Sequence, residues 1–246
     1  MQIVIPMAGK ASRFKNYGIS TPKPLLDVLG VPLAVRSAQS IQNFWKNQYS
    51  FVSLTDHKKW GIESKIKEYF PDSNFIYINE PTNSPVETCL AVASELDTQK
   101  PVVFNDCDHV FISPKFDDFL REQEVLTTRS GSILFFKSND PKYSYIDTNT
   151  IHNFEMVVSA VEKKVISNKA VCGTYYFNSV DTFKDLAVET LRNIHDREVY
   201  MIELIDILAK NTNQVEAFET IFHRSLGTPE EYQDALSDFI FRNTYR

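Results

Sequence analysis

Residues 5–30 read "IPMAGKASRFKNYGISTPKPLLDVLG", and the reading of the fold turns on them. An apolar strand, "QIVIPM" (2–7), runs directly into a loop of small residues that also carries Lys10, Arg13, Lys15 and Lys23. A buried strand opening into such a loop is how a parallel sheet builds a crevice beyond the carboxyl ends of its strands. Gly9 permits close backbone approach, and its small neighbours Ala8, Ala11 and Ser12 leave amide hydrogens free to meet an anion. Arg13 can fork onto phosphate oxygens, while Lys23, stiffened by Pro22 and Pro24, supplies a point charge. The loop is not a Walker loop, because no Gly-Lys-Ser or Gly-Lys-Thr opens a helix, and it has only one glycine of a dinucleotide fingerprint. Ala11 stands where a second glycine is expected. If that position needs a positive φ, alanine costs on the order of 1 kcal/mol; if it needs only a small side chain, alanine is tolerated.

The basic loop is conspicuous because the chain is acidic. Its 246 residues are 43% hydrophobic with a net charge of −6, enough to bury one large core. That charge argues against nucleic acid or an anionic membrane as partner. No apolar run reaches the length of a bilayer span and "MQIVIP" is too short for a signal-peptide core, so a cytoplasmic protein is expected. Cys89, Cys107 and Cys172 are isolated and odd in number, with neither a disulfide framework nor zinc spacing.

Outward from the loop, strand-like and helix-like segments alternate: helix 32–45, strand 49–55, helix 58–70, strand 74–79, helix 84–96 and strand 101–111. Ser84, Pro85 and Glu87 form a capping box at the start of the helix over 84–96. This alternation predicts βαβ units on a mostly parallel sheet, an α/β fold. After about residue 130 four strands separated by turns suggest a mixed region, followed by helices over 179–194 and 199–210. A final helix from Thr228 is expected to place Tyr232, Ala235, Leu236, Phe239 and Ile240 on one face. One continuous domain is expected, with a nucleotide-binding half (1–129), an acceptor half (130–227) and a C-terminal helix (228–246).

"FNDCDH" (104–109) ends an apolar strand in carboxylates. On a strand, Asp106 and Asp108 share a face, and two convergent carboxylates repel unless a cation or strong donors sit between them. Magnesium suits that arrangement, since it bridges carboxylates to substrate phosphates; the competing reading is an aspartate-rich turn. His109 receives no role.

The motif "MAGKASRF…TPKPLLDVLGVPL" resembles the N-terminal signature of the sugar-phosphate nucleotidyltransferases. "NSPVETCLAV" is similar to that family's base-contacting turn and helix, and "FNDCDH" to its metal-binding strand end. "VEKKVISNKAVCGTYYF" resembles the elements that hold the acceptor, and "SLGTPEEY" the block before the last helix. These five blocks, in order, span most of the chain, and the resemblance is closest to short forms from surface-polysaccharide gene clusters, several of which use CTP. It implies a Rossmann-like, GT-A-like three-layer α/β/α fold with a mixed, mostly parallel sheet. It implies that an NTP and a phosphorylated substrate give a nucleotide-activated product and pyrophosphate, with Mg²⁺ as cofactor. Arg13 and Lys23 are then the expected catalytic residues. Ala8, Gly9, Lys10, Ala11, Ser12, Ser84, Thr88, Asn105 and Asp106 join them as nucleotide contacts. Glu162, Lys163, Gly173 and Tyr175 hold the acceptor, and Asp106 and Asp108 the metal.

The chain departs from that pattern in two places. Ala11 replaces a common glycine, and Ser225-Leu226 replaces an aspartate that often supplies a second metal ligand. Asp108 is the expected substitute, with Glu219 and His223 as weaker ones. Glu87 is read as a cap rather than a base contact, and one of Tyr175 and Tyr176 as core. The acceptor is open between a sugar 1-phosphate and a phosphocholine- or phosphoglutamine-like compound, and a homo-oligomer is neither required nor excluded. A metal-dependent glycosyltransferase and a non-catalytic nucleotide-sensing module are the competing readings. The absence of a serine, cysteine or histidine nucleophile constellation fits a reaction that rests on positioning and charge neutralisation.

Overall fold

The computed structural model describes residues 1–41 and 48–245. β1 (Gln2–Pro6) leads through the basic loop to α1 (Ser12–Asn16), the hairpin β2 (Asp27–Val28) and β3 (Val31–Pro32), and α2 (Leu33–Gln39). β4 (Gln48–Leu54), α3 (Ile62–Lys67), β5 (Asn74–Ile78), α4 (Pro85–Val92), β6 (Val102–Asn105), β7 (His109–Ile112) and α5 (Pro114–Val125) follow. The second half holds β8 (Gly131–Lys137), β9 (Tyr145–Ile151), β10 (Phe154–Val161), β11 (Lys169–Phe177), α6 (Val180–Asn193) and α7 (Met201–Thr212). β12 (Val215–Glu219), β13 (Phe222–Ser225), α8 (Pro229–Ser237) and α9 (Phe239–Thr244) complete the described chain.

A nine-stranded sheet runs in the order β5-β4-β1-β6-β11-β8-β12-β10-β9. β5, β4, β1 and β6 are mutually parallel, β8 and β12 are parallel to one another, and only β10 and β11 run against the rest. Ile3, Val4 and Ile5 of β1 are fully buried, as expected of a central parallel strand covered on both faces. One face packs against α4, α6 and α7 through Val86, Phe183 and Ile205. The other packs against α2, α3 and α5 through Val35, Ile66 and Phe116. A third cluster joins Phe14, Val28, Leu226 and Phe241, tying the N-terminal segment to the C-terminal helices. No helix among the described residues is long and apolar enough to cross a membrane.

The topology positions the site. From β1 the chain builds β4 and β5 on one side, then crosses to place β6 on the other side of β1. The strand order therefore reverses at β1 and β6, and their carboxyl ends flank the crevice where such sheets bind ligands.

Several expected elements change shape. The helix expected over 58–70 begins as a 3-10 turn, Thr55–Trp60, and becomes α3 only after Gly61 at φ 66°. The helix expected over 32–45 is α2, and residues 42–45 lie outside the described residues. The apolar run over 101–111 is two strands rather than one: β6 stays in the main sheet, while β7 leaves it to pair with β13. Asp106 and Asp108 thus lie in the turn between two strands, and strand alternation does not set their direction. The last helix is also divided. Asp238 ends α8 and caps α9, its carboxylate accepting from the Phe241 amide at 2.8 Å. Phe239 and Ile240, expected to share one helix face with Tyr232, Ala235 and Leu236, are 81% and 60% exposed.

Candidate active site

A cavity of about 630 Å³ opens at the carboxyl ends of β1 and β6. One wall is the loop Ala8–Ser12 with Lys23, another the turn Pro81–Pro85 with Thr88, and the floor carries Asp106 and Asp108. The local structure of the basic loop follows from its composition. Met7 still bonds the neighbouring strand, its amide donating to Val52 O at 2.9 Å. Beyond it, the amides of Gly9, Lys10 and Ala11 find no acceptor among the described residues. Ala11 takes the left-handed conformation, φ 50° and ψ 35°, to turn the chain into α1. The position therefore demands positive φ and not merely a small side chain. A Cβ built on Gly9 would meet no protein atom within 4 Å, so the space beside it is free for a ligand.

Lys23 sits in a short 3-10 turn between its two prolines. Its ammonium pairs with Asp108, lies 3.4 Å from Gly227 O, and stands 5.5 Å from the centre of the Phe14 ring. Burial, the largest single influence, pulls the Lys23 pKa down, but Asp108, Cys107 and Asp106 together outweigh it and the net shift is upward. Burial would likewise raise Asp108, yet Lys23 and His109 hold it well below the usual carboxylate range. Asp106 has no such partner: burial first and Asp108 second push its pKa up to about 8. A half-buried carboxylate left this basic is one that a cation would ionise. An oxygen of each of Asp106 and Asp108 and a nitrogen of His109 all lie within 4.8 Å of one another, and the two carboxylates of this group suit a hard divalent cation such as Mg²⁺.

The main-chain amide of Asp106 donates to Gly173 O at 2.8 Å. Gly173 itself lies at φ 71°, and a Cβ there would come 2.6 Å from the Asp106 carboxylate. Gly173, expected to contact the acceptor, makes room for the Asp106 carboxylate. Asn105, expected to touch the nucleotide, is fully buried. Its side chain accepts from Thr174 Oγ1 at 2.7 Å and donates to Ser37 Oγ at 3.0 Å, which holds the turn rather than a ligand. Ser84 accepts from the Glu87 amide at 3.1 Å, and Glu87 reaches back to the Asn83 amide at 2.9 Å, a capping role for both. Tyr175 and Tyr176 are both buried, on opposite faces of β11.

Arg13 is exposed on α1, outside the residues lining this cavity, and has no partner among the described residues. Glu162 and Lys163 line a second cavity of about 710 Å³, with Arg197 and Tyr200. Lys163 pairs with Glu162 at 3.2 Å and donates to Tyr200 OH at 3.0 Å. Glu198 lines both cavities and so marks where they adjoin. Sequence reasoning missed Glu198, which lies in a loop without any motif. Glu231 was legible as the partner of Thr228 in a capping box, but its place beside Ser225 was not. Glu231 closes that box, and its carboxylate accepts from Ser225 Oγ at 2.9 Å, where an aspartate was sought. Lys142 and Tyr143 hold its other oxygen. Glu219 pairs instead with Lys137 at 3.6 Å.

The nucleotidyl transferase family profile matches residues 3–240. The chain belongs to that family.

None of the curated proteins compared matches it, whereas solved structures resemble this nucleotidyl transferase over nearly its whole length. A nucleoside-diphosphate-sugar pyrophosphorylase from Vibrio cholerae RC9 superimposes with a TM-score of 0.80 at 21% identity, covering 96% of this chain and 100% of that one. An apo UDP-glucose pyrophosphorylase gives 0.78 at 17% identity, covering 98% of each chain. The inositol-1-phosphate CTP transferase from T. maritima gives 0.71 at 11% identity, covering 94% and 90%. At these identities the likeness is one of fold. It places the nucleotidyl transferase's loop, β6 turn and second cavity on a scaffold shared with all three.

Proposed function

We propose that the protein transfers a nucleotidyl group from an NTP, with CTP favoured, to a phosphorylated small molecule, releasing pyrophosphate. The observation that carries this reading is the cavity at the β1/β6 switch point. It sets unbonded loop amides and Lys23 against a half-buried carboxylate pair, a combination suited to gathering phosphates and a cation in one place. The acceptor phosphate is already anionic, so its oxygen attacks the α-phosphorus without a general base. The bond from that phosphorus to the β-phosphate oxygen breaks, and pyrophosphate leaves with its electron pair. The loop amides and Lys10 take the phosphates. Lys23 exchanges Asp108 for a phosphoryl oxygen, and Arg13 reaches from α1 to the leaving pyrophosphate. Asp106 and Asp108 would hold Mg²⁺, which neutralises phosphate charge when bound.

The acceptor occupies the second cavity, where Lys163 and Arg197 offer cations to its phosphate and Glu162 and Tyr200 offer polar contacts. A sugar 1-phosphate or a phosphocholine- or phosphoglutamine-like compound fits this chemistry, and surface-polysaccharide or capsule biosynthesis is the setting that the sequence resemblance favours. The test is a matrix of NTPs against phosphorylated acceptors with Mg²⁺, followed by pyrophosphate release. Release from one pair, faster with CTP than with other NTPs, is expected. Bound nucleotide with no release from any pair would instead favour a sensing module, and transfer from a supplied nucleotide sugar a glycosyltransferase.

A further inference from the structure

The antiparallel ribbon of β7 and β13 pairs His109 with Ser225 and Phe111 with His223. His223 lies two residues from Ser225, so strand alternation turns both imidazoles to the same face of the ribbon. They meet there, His109 Nδ1 standing 2.8 Å from His223 Nε2. The Cys172 thiol of β11 faces the same side of the sheet and is fully buried. The three donor atoms, two nitrogens and one sulfur, all lie within 4.8 Å of one another. No cysteine or histidine spacing signals this cluster, because each residue comes from a different strand.

Two further features belong to a metal site more than to a packed core. His109 Nε2 stands 3.7 Å from Asp108 Oδ1, beyond hydrogen-bond length, but a small ring movement on metal binding would bring it into the carboxylate–histidine relation that orients a ligating imidazole. Phe136 stacks on His223 with ring centres 3.7 Å apart, fixing that ring and shielding one side of the site from water. Tetrahedral zinc, with bonds of about 2.0–2.1 Å to nitrogen and 2.3 Å to sulfur, separates its ligands by roughly 3.3–3.6 Å. The histidine pair at 2.8 Å would open by about half an ångström, and the thiol, within 4.8 Å of both nitrogens, would settle to its own bonding distance. Thiolate and imidazole donors select zinc over magnesium.

We propose that His109, Cys172 and His223 form a zinc site behind the catalytic turn, distinguished by its thiolate from the neighbouring group of Asp106 and Asp108, with which it shares His109. The fourth position is left for water. Because Asp108 faces both His109 and Lys23, zinc bound here reaches the catalytic carboxylates through His109 without ligating them.

The test uses Co²⁺, a spectroscopic stand-in for Zn²⁺, titrated into the full chain in the presence of excess Mg²⁺. A thiolate-to-cobalt charge-transfer band that saturates at equimolar metal and is bleached by added Zn²⁺ is expected. Cys172→Ala should abolish the band and weaken zinc binding at least about 100-fold, since even changes beyond the ligands cost 10–100-fold. His223→Gln should weaken zinc binding to a similar degree, and Asp106→Asn should keep the band. Absence of the band in the unmodified protein overturns the proposal without needing any variant. So does a band that survives Cys172→Ala, or one lost equally in Asp106→Asn.

Discussion

Ala11→Gly should stabilise the protein although it removes a methyl group and touches nothing else. Ala11 sits at φ 50° and ψ 35°, where an L-residue with a Cβ pays roughly 1–2 kcal/mol against the following carbonyl. Glycine avoids that cost but loses more freedom on folding, an effect of roughly 0.4–1 kcal/mol. The methyl is only half-buried, so its lost burial subtracts a few tenths of the roughly 0.8 kcal/mol due to a buried methylene. The balance is a gain of about 0.5 kcal/mol, which for a chain of this size raises Tm by about 1–2 °C. Urea denaturation with a shared m-value, together with thermal melts, measures it. Ala11→Val provides the opposite arm, because a β-branched side chain at positive φ should destabilise by more than alanine does. A Gly variant that melts lower than the unmodified protein, or a Val variant that melts higher, would refute the assignment of left-handed strain to this loop.

Gly173→Ala should cost about 1–2 kcal/mol from its positive φ. It should also abolish Mg²⁺-dependent turnover by displacing the Asp106 carboxylate, whereas a stable variant with full activity would show that Asp106 has room to move. Gly9→Ala meets no protein atom, so melting should stay within about 0.5 kcal/mol of the unmodified protein. NTP binding, measured by calorimetry, should nevertheless weaken as the methyl enters the phosphate space. Lys23→Ala and Arg13→Ala should each lower turnover by about 10²–10³-fold. Only Lys23→Ala should also lower the stability of the ligand-free protein, since it leaves Asp108 beside Asp106 with no counter-charge; equal melting of the two variants would contradict the pairing. Asp117 offers a pH test away from the site. Burial raises its pKa to about 7, against an opposing pull from Arg121. A raised acid costs stability once pH exceeds its unfolded value near 3.9, and the cost grows until the folded value is passed. Asp117→Asn should therefore match the unmodified protein at pH 4 and gain about 1 kcal/mol by pH 8, after allowance for solvent screening. Equal melting temperatures at both pH values would disprove it.

Local chemistry was legible in the amino-acid order. Alternating apolar segments and the capping boxes at Ser84 and Thr228 state the α/β class, and the passage from an apolar strand into small and basic residues states where the crevice loop begins. These signals depend on residues within a few positions of one another, which is the range over which backbone geometry and periodicity act. The carboxylate turn was visible as composition, but its geometry was not. Whether Asp106 and Asp108 ride one strand depends on β7 leaving the main sheet for β13, a partner more than a hundred residues away with no local mark. The demand for positive φ at Ala11 and the need for a bare Cα at Gly173 arise the same way, from where the chain must turn and what it must pass. Tertiary structure alone committed Asn105 to the scaffold, brought Glu231 to Ser225, and set Cys172 beneath two histidines. Asn105 and Cys172 meet their partners because separate strands converge at one end of the sheet, whereas Glu231 reaches Ser225 because the chain turns from β13 into α8; neither arrangement has a period for a sequence to display.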